Sequence, residues 1–247
     1  MERTRRVFAT IAIVGVIAYV VVDVVLQFLP PHYSAIADAE SDLAVGPFGW
    51  IMAINFFGRG VTSAATIALV LLTAPRTRRR TVGVGLFAVA GFCSALIAFF
   101  PTDIPEVLGE PIHPTTWHGV IHLVGASTGF LFALAAFWVL TFWLPVSDDR
   151  PQRLRGFFLA LASAGLVFLA VTIVATPALL GLAERICLAG ILGWVMVVAI
   201  ELKGTTDLEP EPAVPRTTQP RTTQPRTTLP RTTQPRTMLP RPRNDTP

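Results

Sequence analysis

Apolar residues fall into six long runs, each broken by a short polar or proline-containing stretch. The first covers about 7–29 and carries one charge, Asp23. At 1.5 Å per residue it is long enough to cross a hydrocarbon core of about 30 Å. It is too long for the apolar region of a signal peptide, and the Pro30-Pro31 that follows does not resemble a cleavage site, so a retained helix is expected. Five further runs follow at about 47–73, 82–100, 117–144, 156–176 and 179–202. Pro75, Pro114 and Pro177 fall at their boundaries, where proline ends one helix or precedes the next. The pattern predicts an all-α fold, a polytopic bundle of six transmembrane helices spanning 1–202. Residues 203–247 differ: Pro-Arg-Thr-Thr-Gln recurs every five residues from Pro215, with no apolar face to bury. Regular proline there predicts a disordered basic tail.

Composition agrees with a chain solvated by lipid. Of its 247 residues 52% are hydrophobic and 15% charged, against about 25% charged in a soluble domain. The net charge of +4 does not point to nucleic acid, because the basic residues sit in short clusters and in the tail. Arg3, Arg5 and Arg6 precede the first run, Arg76, Arg78, Arg79 and Arg80 follow the second, and Arg150, Arg153 and Arg155 follow the fourth. Lys203 and seven tail arginines follow the sixth. Segments 30–46, 101–116 and 177–178 contain no Lys or Arg. The positive-inside rule then places both termini in the cytoplasm of a multi-pass plasma-membrane protein, with those three segments outside. The tail arginines could make weak contact with anionic lipids of the inner leaflet.

The stretch from Phe99 to His122 concentrates candidate chemistry. It holds His113, His118 and His122 with Asp103, Glu106 and Glu110, and no Lys or Arg. His118 and His122 are one helical turn apart, which puts both rings on one face. That spacing can present two imidazoles to one zinc ion, with Asp103 as a third ligand; a hydrogen-bonded structural network and a proton or substrate pathway are the alternatives. Ionisable groups at membrane depth are costly without partners, so they are expected to converge. The expected outward-facing cluster is Ser41, Asp42, Asp103, His118, His122, Glu184 and Arg185, with Asp103 or Glu184 as the acceptor for His122. Asp23 and Arg59, in adjacent helices, can form an ion pair that pins their packing; otherwise Arg59 snorkels or lines a wet cavity. Cys93 and Cys187 lie inside apolar runs and form no metal-binding spacing.

Several of these residues also carry a family resemblance. The stretches His32-Tyr-Ser, Glu40 to Trp50, Phe100-Pro-Thr-Asp103, Trp117-His-Gly-Val-Ile-His122 and Gly181-Leu-Ala-Glu-Arg185 together resemble the bacterial six-helix membrane proteins of domain of unknown function 998. The resemblance covers about residues 7–202 and implies an integral membrane protein without an assigned activity. Arg59 departs from it, standing where a small or apolar residue is expected.

No phosphate loop, nucleophile elbow or dinucleotide fingerprint is present. Three functions fit the pattern. The first is an uncharacterised membrane protein whose outward polar pocket binds or passes a small solute or lipid headgroup. The second is a metal-dependent membrane hydrolase using His118, His122 and Asp103, with Asp42 or Glu184 as general base. The third is a scaffold for partner membrane proteins.

Overall fold

The computed structural model describes residues 2–30, 33–73, 76–104, 113–144 and 149–204. Six helices, α1 (Glu2–Leu26), α2 (Gly49–Thr73), α3 (Arg78–Ile97), α4 (Trp117–Thr141), α5 (Asp149–Ala175) and α6 (Leu180–Gly204), account for most of it. Two 3-10 turns, Glu40–Ala44 and Pro177–Leu179, lead into α2 and α6. Each of the six is long and apolar enough to cross a membrane, and the described residues contain no strand. Glu106, Glu110, His32 and the repeat tail from residue 205 lie outside the described residues.

The helix ends differ from those read off hydropathy for a physical reason. α1, α3 and α5 begin earlier than expected, at Glu2, Arg78 and Asp149, because the basic clusters are helical rather than loop. Arginine is a good helix former whose aliphatic stem can lie along apolar surface. Local chemistry fixes the start of α3 and the entries into α4 and α2. Thr77 and Thr116 cap α3 and α4, their side chains accepting from the N–H groups of Arg80 and Gly119. Gly46, at φ 84°, makes the turn into α2.

Consecutive helices pack against one another, and α6 also packs on α1, α2 and α4. It is the central helix: 56% of its spanning window is buried, against 22% for α5. Trp194 of α6 is fully enclosed, stacks on Phe137 of α4 at 3.9 Å, and donates its indole N–H to Thr141 Oγ1 at 2.7 Å. That bond satisfies the one polar atom of an otherwise apolar ring. The α5–α6 seam is closed by small residues. A Cβ on Gly165 would strike the backbone of Cys187, and one on Gly190 that of Ala162. Small side chains let membrane helices approach to backbone contact, where dispersion and not the hydrophobic effect holds them.

The two ends of the bundle carry opposite chemistry. One gathers the arginines. There Arg155 is wholly buried, with Nε 3.5 Å from Glu201 Oε2, and Arg80 donates to the Leu71 carbonyl at 3.4 Å, tying α3 to the end of α2. At the other end the segment 33–46 folds onto α1, α2 and α6 and brings acids with it.

Candidate functional site

The acid-rich end is built on α6. Gly181 lies so close to residues 33–39 that a Cβ there would collide with the Asp38 and Ala35 carbonyl oxygens. Leu182 N–H donates to Ile36 O at 3.0 Å. One turn on, Arg185 donates through Nη1 to Ala35 O at 2.9 Å and through Nη2 to Tyr33 Oη at 2.6 Å. Tyr33 in turn donates to Ala39 O at 3.0 Å. The guanidinium therefore satisfies main-chain carbonyls that have no helix to pair with. Its Nη2 also lies 3.6 Å from Asp23 Oδ1 of α1.

This docking carries Glu40 into the bundle, where it is 2% exposed. Its carboxylate accepts from Tyr19 Oη at 2.8 Å, and its backbone N–H donates to Glu184 Oε2 at 2.7 Å. Tyr19 Oη also accepts from Arg59 Nη1 at 3.1 Å. Arg59 Nε donates to Ser94 Oγ of α3 at 2.6 Å, and the guanidinium lies over the rings of Tyr19 and Phe56. Four helices and one loop thus meet in a single polar chain: Glu184, Glu40, Tyr19, Arg59, Ser94. Burial, then the neighbouring charges of Glu184 and Asp23, push the Glu40 carboxyl up to about 8, despite Arg59 and Tyr19. Asp42, half-buried on the same 3-10 turn, is pushed up to about 7 by burial and then by Glu184 and Asp38. Ser41 stands between them, half-buried.

The expected single cluster divides in two. Asp42, Glu184 and Arg185 belong to the group just described. Asp103, His118 and His122 do not join it. Asp103 caps the start of α4 instead, accepting at 2.7 Å from the N–H and the hydroxyl of Thr116 and from the N–H of Thr115. These donors, the Thr116 N–H foremost, hold its carboxyl below the usual range. His118 is occupied by rings, 3.7 Å from Trp117 and 6.0 Å from Phe100. His122 is 3% exposed and donates from Nδ1 to the Phe100 carbonyl at 2.7 Å. Its acceptor is thus a main-chain carbonyl in the turn that follows α3, neither Asp103 nor Glu184. Among the described residues no group of three His, Cys, Asp or Glu is placed to hold a metal. The zinc set of His118, His122 and Asp103 is therefore corrected, since each member is committed to a different partner. The Asp23–Arg59 pair is corrected as well: Asp23 faces Arg185, and Arg59 faces Tyr19 and Ser94.

Sequence reasoning passed over Tyr19, Tyr33, Glu40 and Ser94 as site residues. A signal was present, because the chain has only two tyrosines and both bond a charged residue here.

Below the chain of polar groups lies a cavity of about 40 Å³, bounded by α2, α3, α4 and α6. Its walls are largely apolar, including Phe87, Phe130, Ala133 and Leu188, and Arg59 is the one charged residue among its lining.

A family model described as Protein of unknown function (DUF998) matches residues 13–201. No curated protein matches the chain, and no solved structure matches it.

Proposed function

The chain belongs to the family of proteins of unknown function DUF998, and on that premise we propose a role argued from the chemistry of the acid-rich end. It is a multi-pass plasma-membrane protein of a bacterium, with both termini cytoplasmic. The acid-rich end faces outward and binds or passes a small solute or lipid headgroup. Orientation rests on the arginine clusters, which favour the cytoplasmic side. The observation that carries the binding role is the chain Glu184–Glu40–Tyr19–Arg59, which leads from the docked loop to a cavity inside the bundle. Ionisable groups held at membrane depth are costly, and packing alone does not require this many. Asp42 and Arg185 lie beside Glu184 in the same neighbourhood. Asp103, His118 and His122 lie apart and shape the start of α4.

The test is ligand-induced stabilisation of the purified full-length protein in nanodiscs, against a panel of small ions, organic acids, amines, sugars and lipid headgroups. At least one class should raise the unfolding temperature saturably, because a ligand that binds only the folded state stabilises it by mass action. Glu184→Gln should remove or strongly weaken that response. A panel with no responder, or a response unchanged in Glu184→Gln, overturns the proposal.

A further inference from the structure

We infer that Arg59 anchors the carboxylate of a ligand with an apolar tail, the tail lying in the cavity between α2, α3, α4 and α6. The inference rests on the binding role proposed above and goes beyond it by naming the ligand's chemistry.

The donor inventory of the cavity decides the headgroup. Three hydroxyls line it, and each spends its proton on a helix carbonyl. Thr62 Oγ1 donates to Gly58 O at 2.9 Å, Ser63 Oγ to Arg59 O at 3.0 Å, and Ser94 Oγ to Phe56 O at 3.0 Å. These side chains offer the cavity only lone pairs. Arg59 is different. Its Nε bonds Ser94 and its Nη1 bonds Tyr19, while Nη2 has no hydrogen bond among the described residues. The wall therefore presents a single cationic donor group, three hydroxyl oxygens that can only accept, and apolar surface otherwise. A guanidinium edge matches a planar carboxylate in charge and geometry. An alcohol brings the cation no charge, and an amine brings a like charge. A phosphate dianion would bring more charge and more acceptors than one donor group can satisfy in an apolar site.

The rest of the wall decides the tail. Phe87, Phe130, Ala133, Leu188 and Ile191 give it nothing but hydrocarbon to touch. The volume of about 40 Å³ exceeds the roughly 10–15 Å³ needed to hold one water. It accommodates a short alkyl group directly. A longer acyl chain would leave between helices toward lipid. The same chemistry thus has two sources, a short-chain acid from water or a fatty acid from the bilayer. Neither source requires Arg59 to release Tyr19, because the bonds to Ser94 and Tyr19 leave Nη2 and the second N–H of Nη1 as a fork for the carboxylate.

The experiment is calorimetric titration of the full-length protein, in nanodiscs of zwitterionic phospholipid, with butyrate, palmitate, butanol and phosphocholine. We expect saturable binding of a carboxylate and none of butanol or phosphocholine. Binding of butyrate alone identifies the aqueous source, and binding of palmitate alone the bilayer source. Arg59→Lys, which keeps the charge but loses the fork, should weaken binding tenfold or more, and Arg59→Gln should abolish it. Ala133→Phe fills the cavity without touching Arg59 and should also abolish binding while the protein remains monodisperse. If Arg59→Gln fails to fold, the lysine and phenylalanine variants decide. Butanol binding as well as butyrate, or full affinity in either deciding variant, overturns the inference. If no carboxylate binds but another panel member responds through Glu184, the inference falls and the broader proposal stands. If nothing binds, both fall.

Discussion

Glu40 is a carboxyl group placed where ionisation is expensive, and this has a measurable consequence. Its proton is held up to about pH 8 in the fold, against 4.5 for the free side chain, with burial as the largest cause. Between those values the folded chain keeps a proton that the unfolded chain releases. Stability therefore falls as pH rises through that window, by up to about 1.4 kcal/mol per pH unit, and levels off above it. Asp42 adds to the fall between its free value of 3.8 and about 7. Thermal unfolding in a zwitterionic detergent should show a midpoint that drops from pH 5 to pH 8. Glu40→Gln, which fixes the neutral form, should flatten the drop above pH 7 and leave the Asp42 part below it. A midpoint that climbs with pH, or an unaltered slope in the variant, would contradict this account. The sequence displays Glu40 as an ordinary loop acid. Nothing in its neighbours announces burial, because the partners that enclose it, Tyr19 and Glu184, are distant in the chain.

At the scale of elements, the segment 33–46 owes its position to one helix turn of α6. Gly181 permits the approach, the Leu182 N–H holds Ile36 O, and Arg185 gathers the carbonyls behind it. Gly181→Leu would put a branched side chain where there is no room for a Cβ. An overpacked site of this kind costs about 1–3 kcal/mol, and here the cheapest relief is to lift the segment off. Hydrogen exchange at residues 37–42 should accelerate in this variant, while amides in the middle of α3 and α4 keep their protection. Unchanged exchange at 37–42 would show that the segment is held by something other than this turn. The six helices were legible because apolar runs of spanning length have few alternatives. The docking was not, because its acceptors are backbone oxygens, which every residue has and no sequence pattern marks. The same blindness explains His122, whose acceptor is the Phe100 carbonyl and not an acid.

For the molecule as a whole, the arginine clusters lie away from the acid-rich end, and fusions can check the orientation proposed from them. A reporter active only outside the cytoplasm should give signal after Ile104 and none after Arg79, since basic clusters resist translocation. The reverse pattern would turn the acid-rich end toward the cytoplasm and change which solutes could reach it. The cost of lone charges in lipid foretold that ionisable groups would seek partners, and Asp42, Glu184 and Arg185 do lie in one neighbourhood. That argument could not foretell the division from Asp103, His118 and His122, because it counts partners without regard to which helix faces which. Arg185 has a last consequence, for variation. It grips Ala35 and the loop through main-chain oxygens and the Tyr33 hydroxyl, so the identities of Ala35, Ile36 and Ala37 can drift freely. The number of residues between Tyr33 and Glu40 cannot. Each inserted or deleted residue would move the gripped oxygens out of register, so this segment should tolerate spelling changes far better than changes of length.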